Sequence, residues 1–311
     1  MTDLPNALQF VSSTRQRAST PECTPNALKA YTRPGPAPWT QLGERLGAVD
    51  STNRLLHDRA QAAARAGAPL TEGTSLRADF QTAGRGRHDR TWEGRPGDNL
   101  YVSYLLSPAG LPAARLFTLS QALALAVRDA VDELAPGREA LVKWPNDVFL
   151  DGGKVAGLLV EAGLAGARVL YVVAGVGLNV NQRDFPGAPQ ATSLRVGLPR
   201  DLDVGAVWDA LTRRLQVAHA ALAEQVGAGD TYPTARRYHE HLLGFGEWAR
   251  YTRRDGRGGR DGGRDGDGGG ATFAARLQGV DADGRLVLEH GGRERRYSMD
   301  EVRYLGPLRP L

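Results

Sequence analysis

The chain has 311 residues, 41% hydrophobic and 24% charged, enough for about two domains and a core that needs no covalent staples. Its net charge of +4 excludes wholesale coating of nucleic acid, and its one cysteine, Cys23, excludes an internal disulfide and suits a reducing cytoplasm. The N-terminus lacks the basic-then-apolar order of a secretory signal, and the longest apolar run, Val169 to Leu178, is far short of the ~20 residues that span a bilayer.

Residues 1–39 hold six prolines and are expected to form an irregular tail, because proline removes helix donors and clashes with the preceding turn. A second segment, expected at 40–243, begins with "DSTNRLLHDRAQAAARA", where Asp50, Ser51 and Thr52 offer caps for an alanine-rich helix. "TSLRADFQ" predicts a strand running into an arginine-rich loop. "NLYVSYLLS" is apolar on both faces, which predicts a central strand. "ARLFTLSQALALAVRDAVDEL" predicts a long amphipathic helix closed at Pro136-Gly137. "ALVKWPNDVFLDGGKVAGLLVEAG" divides into three strands at Pro145 and Asp151-Gly152-Gly153. "ARVLYVVAGVGLNVN" predicts a buried strand, and helices are expected near Val204–Gln225 and Thr234–Leu243. The remainder, 244–311, predicts short strands with turns at Asp283-Gly284 and Gly291-Gly292. It is interrupted at 253–270 by "GRGGRDGGRDGDGGG", whose near-balanced charges favour a solvated insertion over a nucleic-acid tail.

Familiar phosphate fingerprints fail at single positions. Gly84 and Gly86 begin a G-x-G-x-x-G that meets Asp89, and Gly175 and Gly177 begin one that meets Val180. There is no HExxH, paired CxxC or GxSxG. What remains is a constellation. Arg85, Arg87 and Arg90 stand on a glycine loop that can wrap a dense anion, each charge-assisted contact being worth ~1.5–3 kcal/mol; a solvated basic turn is the alternative. "KWPND" sets an aromatic ring, an amide and a carboxylate beside Lys143, although Trp144 before a proline also reads as core. Three lysines, Lys29, Lys143 and Lys154, stand against 36 arginines, so a surviving lysine marks a place where a compact ammonium fits and a planar fork does not. "GVGLN" ends a buried strand in glycine and amide, a usual ligand position in sheet enzymes.

"STN" at 51–53, "QTAGRGR" at 81–87, "KWPND" at 143–147, "GGKVAGLLVE" at 152–161, "GVGLN" at 175–179 and "ATSL" at 191–194 occur in the order and spacing found in biotin protein ligases. The resemblance covers about residues 44–311. It implies an α+β fold: a mixed sheet flanked by helices, of the class II synthetase-like kind, with a small C-terminal SH3-like β-barrel. It implies a two-step reaction in which biotin and MgATP give biotinyl-5′-adenylate and pyrophosphate. A lysine of a biotin carboxyl carrier protein domain, from acetyl-CoA carboxylase or a related carboxylase, then takes the acyl group.

By the same resemblance Ser51, Thr52 and Gln81 meet the ureido ring of biotin, and Gly84, Gly157, Gly175 and Gly177 line its slot. Arg85, Arg87 and Lys154 hold the carboxylate and phosphate, and Arg90, Trp92, Lys143, Asn146 and Asn179 serve the adenylate, with Trp92 stacked on adenine. Asp147 orients Lys154 or takes a proton from the incoming amine. Arg87, Lys154 and Asp147 are the expected catalytic set, with no dedicated protein metal site. The arginine loop is expected to be mobile when empty and to fold over the arriving anion. His88 and Asp89 depart from the small residues common there.

Some relatives carry an N-terminal DNA-binding domain of about 60 residues. This tail is too short and proline-rich for one, so no repressor activity, no DNA or membrane partner and a cytoplasmic location are expected, as monomer or homodimer. Two alternatives remain: a lipoate or octanoate protein ligase, and a nucleic-acid-binding protein using loop and barrel. The latter lacks aromatics beside its basic residues for stacking on bases.

Overall fold

The computed structural model describes residues 38–68, 70–87, 90–165, 168–253 and 271–308. The expected tail through residue 37, His88 and Asp89, and 254–270 of the expected insertion lie outside the described residues.

Two sheets organise the chain. The first has seven strands, in the order β1 (Gly43–Val49), β2 (Ser75–Gln81), β3 (Leu100–Leu106), β7 (Arg168–Leu178), β6 (Gly153–Ala165), β5 (Asp147–Leu150) and β4 (Ala140–Lys143). β1 and β2 run parallel and every other neighbour is antiparallel, so the sheet is mixed. β3 is buried at every residue and sits third from the edge, in keeping with its unbroken apolar run. β1 was not foreseen: "GERLGAV" is exposed along most of its length, so it carries no hydrophobic alternation to mark it as a strand.

Side-chain alternation splits this sheet into two faces. Leu100, Val102, Tyr104, Leu158, Val172, Ala174 and Val176 point into the main core beneath α2 (Leu116–Leu134) and α3 (Val204–Gly227). Leu105, Tyr171 and Val173 point the other way, onto Leu56 and Ala60 of α1 (Thr52–Arg65). α1 is short and covers only part of that face. The uncovered part becomes the floor of a cavity.

The second sheet, in the order β11 (Arg293–Tyr297), β10 (Leu286–His290), β9 (Thr272–Val280), β8 (Trp248–Arg253) and β12 (Val302–Pro307), is antiparallel throughout. The expected barrel is therefore an open five-stranded sheet: β11 and β12 end the order without pairing to each other. Gly284, Gly291 and Gly292 all take positive φ at its turns, the conformation that the Asp-Gly and Gly-Gly signals anticipate.

α2 explains how the two sheets are held together. Leu119, Leu123 and Val127 enter the main core, while Phe117, Ala124 and Leu125 enter a second core with α4 (Tyr232–Glu240) and the second sheet. The helix is buried nearly all round instead of along one stripe, the state of an element sandwiched between layers. Trp144 Nε1 donates to Gly284 O at 3.0 Å, and Val280 N–H donates to His239 Nε2 of α4 at 2.9 Å. Trp39, assigned above to the irregular tail, is buried against Tyr104 and His219.

Candidate functional site

The cavity holds about 660 Å³, within the range of small-ligand sites. Gly157 and Gly177 face each other across β6 and β7, and Leu159 faces Gly175. A Cβ on Gly177 would stand 2.4 Å from the Trp92 ring, and one on Gly157 would stand 2.9 Å from it. Glycine at both positions lets the indole lie directly on the sheet. Trp92, expected on adenine, thus covers two of the glycines expected to line the biotin slot, and its Nε1 is buried without a partner.

One end of the cavity is a fixed polar array. Ser51 caps α1 and turns Thr52 inward. Gln81 Oε1 accepts from Thr52 N–H at 2.8 Å and from Thr52 Oγ1 at 3.1 Å, and Thr52 Oγ1 lies 2.8 Å from Ser103 Oγ. With its oxygen occupied, the Gln81 amide presents N–H donors. Ser103 was missed, although it is the one small polar residue breaking the apolar run of β3.

The opposite end is cationic. Arg87, Arg90, Lys143, Lys154 and Arg303 line that part of the wall, with Asp147 as the one carboxylate among the lining residues, whereas Arg85 lies toward the polar end, its guanidinium on Glu161, which also holds Asn53. The loop is a tight curl: Trp92 N–H donates to Gly84 O at 2.9 Å and Gly86 N–H to Arg90 O at 2.7 Å. Gly84 serves this crossing and does not line the cavity, since a Cβ there would stand 2.2 Å from Trp92 O.

Lys154 Nζ lies 2.7 Å from Asp147 Oδ1 and 5.3 Å above the Trp92 ring. Its backbone is clamped by the 188–192 segment, through Lys154 N–H to Gln190 O at 2.7 Å and Thr192 N–H to Lys154 O at 2.9 Å. Asn179 belongs to this clamp: its Nδ2 donates to Thr192 O at 2.9 Å, and it is absent from the cavity wall. Asn146 lines the cavity while its Nδ2 donates to Leu158 O.

Lys143 lies over the rings of Phe149 and Tyr304, at 4.8 and 5.6 Å. Burial, reinforced by Lys154, Arg303 and Arg90 and opposed by Asp147, holds its ammonium below the usual lysine range. Both lysines among the described residues therefore line one cavity, as their scarcity suggested. Among the described residues no cluster of three or more His, Cys, Asp or Glu could hold a metal ion. A magnesium ion brought in with ATP would have Asp147, the one carboxylate among the lining residues, to meet it beside the substrate phosphates. No helix among the described residues is long and apolar enough to cross a membrane.

Residues 49–179 match the model of the biotin/lipoate A/B protein ligase family. The chain is 32% identical over 257 residues to the bifunctional ligase/repressor BirA of Bacillus subtilis, covering 81% of this chain and 71% of that one. It is 40% identical over 158 residues to the biotin–[acetyl-CoA-carboxylase] ligase of Mycobacterium tuberculosis, 50% of this chain and 55% of that one. Among solved structures, biotin protein ligase from Aquifex aeolicus in complex with biotin and ATP superposes with a TM-score of 0.65 at 25% identity, covering 85% of this chain and 98% of that one.

Proposed function

The chain belongs to the biotin/lipoate A/B protein ligase family, and from that premise we propose that it biotinylates a specific lysine of a biotin carboxyl carrier domain through biotinyl-5′-adenylate. We assign the catalytic unit to 40–243 and a supporting unit to 244–311. The observation that carries the reading is the two-ended cavity: a buried hydroxyl–amide array at one end and a ring of cations at the other.

Biotin matches that polarity. Its ureido ring needs paired donors and acceptors, since an unmet buried one costs ~1–3 kcal/mol, and Thr52, Gln81 and Ser103 supply them. Its valeryl chain runs over the glycine floor toward Lys154. In the first step a biotin carboxylate oxygen attacks the α-phosphorus of ATP, the bond to pyrophosphate breaks, and a mixed anhydride forms. Two anions must meet, so fixed cations control the rate; removing one such preorganised donor commonly costs ~2.7–4 kcal/mol. Lys154, steadied by Asp147, and Arg85 and Arg87 fill that role. Binding requires Trp92 to leave the glycine floor, after which its ring is free to stack on the adenine.

In the second step the carrier amine attacks the acyl carbon and AMP departs. A lysine pKa near 10.4 leaves little neutral amine at pH 7, so a carboxylate within reach assists by taking the proton; we assign that role to Asp147. Mass spectrometry of a carrier domain incubated with the protein, biotin and MgATP tests the reading. One biotinyl adduct on a single lysine is expected; no adduct refutes it. The family also includes lipoate ligases, so lipoate is offered in competition; preferential lipoyl transfer would replace biotin in the assignment.

A further inference from the structure

Side chains from two separate segments, Asn53 and Arg85, converge on one carboxylate that the two-step reaction does not use. Glu161 of β6 is 7% exposed. Its Oε2 accepts from Asn53 Nδ2 at 2.6 Å, and its Oε1 accepts from Arg85 Nη2 at 3.0 Å. Asn53 sits in the first turn of α1 and Arg85 on the arginine loop. Asn53 reaches the carboxylate because the strand opposite carries glycine: a Cβ on Gly175 would lie 2.6 Å from Asn53 Oδ1. That Oδ1 is itself buried and without a partner, so the amide is oriented by its bond to Glu161.

A carboxylate here is expensive. Taking it out of water costs several kcal/mol unless a charge and hydrogen bonds compensate. The packing does not demand one, since its strand partner is Val173 and the next position along the same face is Leu159. Arg85 compensates Glu161, and in return the sheet holds a charged side chain of a loop that the Gly84–Trp92 and Gly86–Arg90 contacts curl on itself and whose Trp92 ring lies on the glycine floor. Arg85 is 40% exposed in its side chain, so one edge of the guanidinium is committed to Glu161 and the rest faces outward.

We infer that Glu161 is a positioning residue that anchors the arginine loop through Arg85, fixing that guanidinium and the Asn53 amide at the cavity wall before ligand arrives. The kinetic part of the test rests on the biotin reading above; the protease part does not. In the ligand-free protein, loss of the anchor exposes the loop to trypsin. Glu161→Gln should raise cleavage after Arg87 and Arg90 about tenfold, the loss of one charge-assisted bond read through the open population.

Arg85→Gln should do the same, and the double variant should be no faster than either single one, as expected for residues acting as a unit. With biotin and MgATP, Glu161→Gln should raise KM for biotin and for ATP about tenfold while KM for the carrier stays within about twofold. Unchanged loop cleavage in Glu161→Gln, or additive effects in the double variant, overturns the proposal. Should Glu161→Gln fail to fold, Arg85→Gln at the partly exposed end decides: a loop still protected in that variant overturns it. If the cavity does not take biotin, the wild type shows no biotin turnover yet the protease pattern stands. If the anchor is wrong, turnover is normal and the protease pattern is flat.

Discussion

At Lys154 one ammonium sits 2.7 Å from Asp147 and above an indole, in a space where a planar guanidinium would have to displace one or the other. Lys154→Arg is therefore expected to be nearly as damaging as Lys154→Ala, each lowering adenylate formation by ~10²–10³-fold. Pyrophosphate release at near-normal rate in the arginine variant would contradict this. Gly177 makes a second single-residue test. A methyl at that position would stand 2.4 Å from Trp92, so Gly177→Ala should fold with a cost of about 1–3 kcal/mol from overpacking and lose biotin binding, measured by calorimetry. Full biotin affinity would show that the glycine floor is not the slot.

The same scale shows where single letters mislead. Asn179 and Gly84 stand inside recognisable motifs, yet one clamps the 188–192 segment and the other lets the loop cross itself. Ser103 reaches the cavity wall with no local signal beyond polarity in an apolar strand, and Glu161, the last residue of the 152–161 motif, sits behind the wall on Arg85 and Asn53. A residue type states which bonds a side chain can make; its neighbours across the sheet decide which it makes.

Elements were more legible than residues. The cap and period of α1 and the closing Pro-Gly of α2 were readable because helix signals are local, and the interior place of β3 in the sheet followed from its apolar run. What stayed hidden was β1, whose partner β2 lies some thirty residues along the chain, and the all-round burial of α2, which only its two packing partners impose. The arginine loop is the element on which the proposed catalysis turns. Arg87→Ala is expected to release free biotinyl-adenylate into solution, because a loop with fewer cations closes less firmly over the intermediate; chromatography of the reaction supernatant measures it. Retention equal to the wild type would count against loop closure.

At the scale of the whole molecule, the second sheet is mounted on the first through α2, α4 and the "KWPND" turn. His239 of α4 accepts a hydrogen bond from Val280 N–H and stacks on Phe245 at 5.3 Å. Burial holds its imidazole below the usual histidine range, and His241 shifts the same way, by burial first and then by Arg128 and Arg237. In such a case the unfolded chain binds the proton more readily. Stability is thus fully present above the unfolded value near 6.5 and declines as pH falls from there toward the depressed folded values. Thermal melts between pH 7.5 and 5 should show that loss, and His239→Gln should flatten part of it; a melting point independent of pH would refute the assignment. Trp144→Phe removes the Nε1–H bond to Gly284 and is expected to cost ~1 kcal/mol, read as a lower urea midpoint. An unchanged midpoint would mean the mounting rests on apolar contact alone.

The helices, most strands, the family motifs and the two lysines worth watching are legible in the order of amino acids alone, because caps, alternation and turn chemistry act over a few residues. Folding in three dimensions was needed to lay Trp92 on the glycine floor, to bond Asn179 to the 188–192 segment, to leave the second sheet open, and to bring Asn53, Arg85, Glu161 and Gly175 together. Those outcomes depend on contacts between segments up to about a hundred residues apart, which arise from sheet order and side-chain volume, and neither is a property of any short stretch of chain.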